Sequence, residues 1–210
     1  MSQYLLLNCL MSYNPQDHFF RKAKEQNYAA RSIFKLEEID QKYKIIKQND
    51  LILDLGSSPG SWSQYASKKI VPSGKIIGID LNPVKPEVGK QLKNAEFIVA
   101  DIRDLNLKEL FTEKGFGHGF DLVMSDMAPK TTGIRMTDQA RSMELCELAL
   151  DAADKYLKKN GHFVCKFFHS DDFEKLRKMI KDRFGKVEAM KPDSTRKISK
   201  EIFLIGLKKK

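Results

Sequence analysis

The run Leu51-Ile52-Leu53-Asp54-Leu55-Gly56-Ser57-Ser58-Pro59-Gly60-Ser61-Trp62 restricts the folds open to this chain more than any other stretch. Leu51 to Leu55 is a short apolar run stopped at once by turn residues, which predicts a buried strand of a parallel sheet. Gly56 to Gly60 forms a sharp turn, with glycines where a side chain would keep a ligand off the backbone. From Ser61 a helix opens, and its first N–H groups, lacking helical partners, point back over the strand's end. Strand, glycine turn and helix make the first half of a nucleotide-binding βαβ unit.

The chemistry of the turn narrows the ligand. Three glycines as G-x-G-x-x-G would mark a nicotinamide cofactor, but only Gly56 and Gly60 are present, with Pro59 between them. No Gly-Lys-Ser/Thr follows, so a phosphate loop is excluded as well. Asp54, one residue before the turn, can fix the loop or meet a cationic ligand. Asp80 closes the next strand, Lys75 to Asp80, where a carboxylate accepts ribose hydroxyls. A third strand, Ala95 to Val99, leads to Asp101 and Ile102, an acceptor for an adenine amine and an apolar neighbour for its ring. S-adenosylmethionine has the ribose, adenine and amino acid this pattern suits, and no phosphates. The competing reading is a Rossmann-like turn that carries no ligand.

Further strands are expected at Phe120 to Ser125, Gly161 to Phe167, Lys186 to Met190 and Glu201 to Leu207. Helices are expected at Thr137 to Leu157, with Met143, Leu145, Leu148, Ala149 and Ala152 inward, and at Asp171 to Phe184. Ahead of the sheet, one helix is predicted from Asn14-Pro15-Gln16-Asp17 toward Ala30, with Asp17 near its cap. Another begins at Ser32 as a possible cap and buries Phe34, Leu36 and Ile39. The alternation predicts an α/β, single-domain, Rossmann-like fold: a seven-stranded, mostly parallel sheet with an antiparallel last strand. Residues 1–30 read as an N-terminal extension and basic helix, and 31–210 as the catalytic domain.

The balance of 37 Lys and Arg against 28 Asp and Glu, a net +9, calls for an anionic partner. Nucleic acid is favoured over membrane, because no apolar run approaches the ~20 residues of a spanning helix. Arg21, Lys22, Lys24, Arg31, Lys42, Lys44 and Lys47 crowd the leading segment. They read as a solvated helix pair or as a basic flap beside the cleft, and the two are compatible. Cys9, Cys146 and Cys165 are far apart and odd in number, which suggests reduced thiols and a cytoplasmic setting, without disulfide or zinc. No histidine has ligand spacing, so no metal is expected. Tyr4 to Met11 is apolar but lacks the basic lead and cleavage site of a secretory signal, and reads as an extension.

Ligands of such a sheet sit beyond the carboxyl ends of its parallel strands. Asp126 and Lys166 stand at two of those ends, Lys166 within the apolar run Phe163-Val164-Cys165-Lys166-Phe167-Phe168, where a lysine is costly unless paired or used. An antiparallel last strand starts at that same rim, which brings Glu201 there, and Lys35 on a leading helix is the remaining cation to close the ring. Two amines and two carboxylates suit methyl transfer to a ribose hydroxyl, which needs an in-line approach and a sink for the proton. Lys166 is either the base or a cation that orients the hydroxyl.

Arg31-Ser32-Ile33-Phe34-Lys35-Leu36, Asp54 through Gln64, Ser125-Asp126-Met127-Ala128-Pro129, and Lys191-Pro192 through Ser194, Arg196, Ser199 and Glu201 together resemble the FtsJ-type ribose 2'-O-methyltransferases. Within them they are most similar to the bacterial form that modifies a uridine of large-subunit ribosomal RNA. That resemblance spans Arg31 to about Leu207. It implies a class I S-adenosylmethionine-dependent methyltransferase with Lys35, Asp126, Lys166 and Glu201 as its catalytic tetrad. It also places cofactor contacts on Gly60, Trp62, Asp80, Asp101 and Asp126, which join Asp54, Gly56, Pro59 and Ile102 from the reading above. Partners implied are RNA within the large ribosomal subunit, with the protein a monomer off the membrane. Lys130-Thr131-Thr132-Gly133 departs from the bacterial form, which carries an asparagine first, and Asn82 to Pro86 differs too. The tRNA-modifying branch of the family and a non-catalytic RNA-binding assembly factor are the alternatives. Methylation of a base amine is disfavoured, since Asp126-Met127-Ala128-Pro129 lacks the Asn/Asp-Pro-Pro-aromatic run of such enzymes.

Overall fold

A computed structural model describes residues 15–104, 106–196 and 198–210; Cys9 and the apolar stretch Tyr4 to Met11 lie outside it, as does the side chain of Asp17. Two helices lead, α1 (Pro15–Glu25) and α2 (Ile33–Tyr43), followed by β1 (Leu51–Leu55), α3 (Ser61–Lys69) and β2 (Lys75–Asp80). Then come α4 (Pro86–Gln91), β3 (Ala95–Val99), a 3₁₀ turn at Ile102–Asp104, α5 (Leu107–Glu113) and β4 (Phe120–Ser125). The chain ends with α6 (Arg135–Tyr156), β5 (Leu157–Phe168), α7 (Phe173–Arg183), β6 (Phe184–Met190) and β7 (Glu201–Lys209). The sheet has seven strands in the order β3-β2-β1-β4-β5-β7-β6. β1, β2, β3, β4 and β5 pair in parallel, and β7 lies antiparallel between β5 and β6.

Period-two alternation sends successive strand residues to two separate cores. Leu53 and Leu55 join Val123, Phe163 and Phe167 beneath α6 and α7, which contribute Met143, Ala149, Leu176 and Ile180. Ile52 joins Leu122, Met124 and Phe203 beneath α2 and α3, which contribute Phe34, Leu36, Ile39 and Trp62. Full burial of Leu36 and Ile39 supplies about 2 kcal/mol each toward holding α2 on the sheet. α1 belongs to the same body, since Ala23 is buried in that second core and the Phe19 ring lies 5.5 Å from that of Phe34.

Several boundaries differ from those expected. α1 stops at Glu25 rather than near Ala30, because Asn27 turns the chain with φ +57°. Ser32 sits before α2 but makes no capping bond; its hydroxyl bonds that of Ser61 at 2.8 Å, joining α2 to α3. β5 begins at Leu157, directly from α6, four residues ahead of the expected Gly161. Its first turn, Lys158-Lys159-Asn160, is polar and concealed the strand. Leu145 and Leu148, expected inward on α6, are half-buried and line the cavity described next.

Candidate active site

In this strand order β1 and β4 are neighbours whose crossovers run in opposite directions, so a crevice opens beyond their carboxyl ends. A cavity of about 1030 Å3 lies there, lined by Gly56, Ser58, Asp80, Asp101, Asp126 and Lys166 among others. Its floor follows from the turn after β1. Gly56 has φ +75°, and a Cβ there would lie 2.7 Å from the backbone nitrogen of Met127, so only glycine lets the loops after β1 and β4 meet. Gly60 has φ +109°, but its missing Cβ makes room for Val88 of α4 at 2.7 Å. That glycine serves chain packing, where ligand approach was expected.

Asp54 has no exposed surface. Its Oδ2 accepts from the Ser63 hydroxyl at 2.6 Å, which pins the start of α3, while Oδ1 has no partner in the described structure. Burial, reinforced by the charges of Asp126 and Asp80 and opposed by the Ser63 bond, pushes its carboxyl up to about 7. Asp80 accepts from the Ser58 N–H at 3.0 Å and from the Asn82 N–H at 2.7 Å, and more weakly from the Asn82 amide at 3.3 Å. With four acceptor positions on a carboxylate, one remains for a ribose hydroxyl, and a second opens if the Asn82 amide lets go. Asp101 is gripped by Arg103 through its backbone N–H and guanidinium, which hold its carboxyl down to about 2. Ile102 is buried beside it.

Lys166 is 8% exposed and donates to the Asp126 backbone carbonyl and, at 2.9 Å, to its carboxylate. Asp126 in turn donates its N–H to Leu55 O at 3.1 Å, fixing the pair to the end of β1. Lys35 of α2 pairs directly with Glu201 at the start of β7. Burial alone would raise the Glu201 carboxyl, but Lys35, with Lys166 and Arg31 beyond, pulls it below the ordinary carboxylate range. Glu201 therefore responds to both ammonium groups, and the two pairs share one rim.

Phe203, which the sequence reading passed over, supports that rim. It stands opposite Lys166 across β5 and β7, and Lys35 Nζ lies 5.9 Å from its ring centre. Trp62 backs it, with ring centres 5.8 Å apart, and its indole donates to Ser32 O at 3.0 Å. The Trp62 side chain thus faces α2 and Phe203 instead of the cavity, which corrects its expected place as a side-chain contact to cofactor. Asp54, Pro59 and Gly60 lie behind the cavity wall, whereas Ser58, Asn82 and Arg103, not singled out beforehand, form it. Among the described residues no helix is long and apolar enough to cross a membrane.

A family model described as FtsJ-like methyltransferase matches residues 28–209. The chain belongs to the FtsJ-like methyltransferase family. The ribosomal RNA large subunit methyltransferase E of Bdellovibrio bacteriovorus is 70% identical over 95% of this chain and 100% of its own length. The protein of that name from Syntrophobacter fumaroxidans is 44% identical over 94% of this chain and 98% of its own. The crystal structure of a ribosomal RNA methyltransferase from Plasmodium falciparum superposes with a TM-score of 0.71 at 30% identity, covering 87% of this chain and 98% of that one. Fibrillarin from Aeropyrum pernix, crystallised with S-adenosylmethionine natively bound, matches at a TM-score of 0.51 and 20% identity over 78% of this chain and 68% of its own, a likeness of fold alone.

The fold is that of the S-adenosylmethionine-dependent methyltransferases, and the residues present fit the cofactor. The unpartnered Asp54 Oδ1, the glycine cradle at Gly56 and the open acceptor on Asp80 are what a cationic nucleoside without phosphates would use.

Proposed function

We propose that this FtsJ-like methyltransferase methylates the 2'-hydroxyl of a ribose in large-subunit ribosomal RNA, the ribose of a uridine, in the cytoplasm. The observation that carries this reading is the pair of ammonium–carboxylate couples on one rim, Lys166 with Asp126 and Lys35 with Glu201, beside the cavity. Relatives named for the large ribosomal subunit, one of them 70% identical, support the substrate.

Asp80, Asp101 with Ile102, and the main chain from Gly56 would hold the cofactor, with Asp54 buried behind them. S-adenosylmethionine, when bound, supplies an electrophilic methyl group on a sulfonium. Lys166 has three N–H donors and commits two to Asp126, which leaves one to orient the ribose oxygen. Asp126 fixes that amine, and Glu201, fixed by Lys35, closes the opposite side. Such positioning supplies part of the ~7–11 kcal/mol available from orientation. The two couples sum to no net charge, so the neutral hydroxyl enters without a desolvated excess charge nearby, and its proton leaves toward the carboxylates and solvent.

Lys166→Ala is expected to slow single-turnover transfer to large ribosomal subunits by about a hundredfold or more, as loss of a positioned donor does. Cofactor affinity by calorimetry should stay within a few-fold. Lys166→Arg keeps a donating cation and should retain measurable transfer, whereas a general-base role requires that it lose activity as the alanine does. Near-normal transfer by Lys166→Ala would overturn the assignment.

A further inference from the structure

A second cavity, of about 470 Å3, opens on the other side of Glu201 from the cofactor crevice, between the start of α6 and the segment joining β6 to β7. Arg135, His169, Lys191, Ile198, Lys200 and Glu201 line it. Its one carboxylate, Glu201, is already engaged by Lys35, so the cavity as a whole presents positive charge. Three large apolar side chains stand exposed at its rim. Ile198 is 82% exposed, and Ile134 and Met136, which flank Arg135 in sequence, are 63% and 82% exposed.

These lips are held in place. The Asp138 carboxylate accepts from the Thr132 N–H at 2.8 Å, the Thr132 hydroxyl at 2.9 Å and the Gly133 N–H at 3.3 Å, which fixes the approach to Ile134. Across the cavity the Glu38 carboxylate accepts from the Asp193 and Ser194 N–H groups at 2.6 and 3.0 Å, Arg31 donates to Ser194 O at 2.8 Å, and Lys191 donates to Ser199 O at 2.7 Å. Scattered exposed apolar residues need no explanation, but three around one basic cavity adjoining the reactive rim mark an interaction surface. The volume falls within the roughly 300–1,000 Å3 of small-ligand sites.

We propose that this cavity receives the nucleotide that carries the reacting ribose, drawn out of its stack, with Ile134, Met136 and Ile198 replacing its lost neighbours and Arg135, Lys191 and Lys200 meeting its phosphates. The inference rests on the reading of the tetrad as an RNA ribose methyltransferase. A ribose cannot reach Lys166 and Glu201 while its base stays stacked in a duplex; an extruded base leaves apolar faces to cover, and its backbone brings negative charge. Apolar lips over a cationic cavity match both demands.

Two measurements test it. The first is methyl transfer to large ribosomal subunits from cells lacking the protein, by the Met136→Ser/Ile198→Ser double variant, with Val71→Thr, exposed at the opposite end of the sheet, as control. Both altered side chains are largely exposed, so the fold and the cofactor affinity should be unchanged. Transfer efficiency, kcat/KM, should fall by about tenfold or more, the scale of a lost base contact, and the control should match the wild type. Wild-type efficiency in the double variant overturns the proposal while leaving the proposed function standing. The second is photocrosslinking of the wild-type protein to 4-thiouridine-labelled large-subunit RNA. Crosslinks within residues 134–136 and 198–202 support the cavity even if no ribose is methylated, the result by which the proposed function itself would fail. Crosslinks confined to other surfaces, or capture of a ribosomal protein at these lips in place of RNA, overturn it.

Discussion

Asp54 is the residue whose environment is least like that of a free side chain. Its carboxyl is fully buried, one oxygen is unpartnered, and Asp80 and Asp126 add negative charge nearby. In the unfolded chain it ionises near 4; in the folded protein it keeps its proton to about 7. The folded state therefore binds more protons between those values, and this group's contribution is full below about pH 4 and lost as pH rises through about 7. Asp50, pushed up to about 6 mainly by burial, acts in the same direction. Asp54→Asn cannot ionise, so in the cofactor-free protein it should gain on wild type by on the order of 4 kcal/mol between pH 4 and 8. Denaturant titrations across that range check it, and parallel pH dependences for the two proteins would show that Asp54 does not hold a proton. The position of Asp54 at the strand's end was legible from its place before a glycine turn. The role of Trp62 was not, because an aromatic at a helix start reads alike whether its ring turns to a ligand or to a neighbouring strand.

At the scale of elements, β1 through β4 fell at their expected boundaries because each is a short apolar run cut off by turn residues. α4, the 3₁₀ turn and α5 went unread, being one or two turns long with too little periodicity to separate from loop. Lys35 and Glu201 were legible as partners only through topology: β7 had to run antiparallel for its first residue to share a rim with the ends of β4 and β5, and it does. The joint between β1 and α3 depends on close backbone approach. Gly56→Ala meets both a left-handed φ and a 2.7 Å collision with Met127 backbone. It should cost about 2–4 kcal/mol, which for a chain of this size lowers Tm by roughly 5–15 °C. Cofactor affinity should fall with it, since the crevice floor must shift. Unchanged melting and calorimetric affinity would mean that the turn relaxes freely.

Across the whole molecule, a net +9 and an active rim open on its basic side describe a protein that docks on a large anion. The charge was plain in the sequence, and so was its sign as a clue to nucleic acid. Where that charge gathers was not, because Arg135 and Lys200 are 65 residues apart in the chain and meet only when β7 inserts between β5 and β6. The assignment of chemistry to this surface turns on which atom receives the methyl group. Large ribosomal subunits from cells lacking the protein, incubated with it and methyl-labelled S-adenosylmethionine and then digested to nucleosides, give the answer directly. The expected result is label on the 2'-oxygen of a single uridine, absent with Lys166→Ala. Label on a base, or on ribosomal protein, would contradict it.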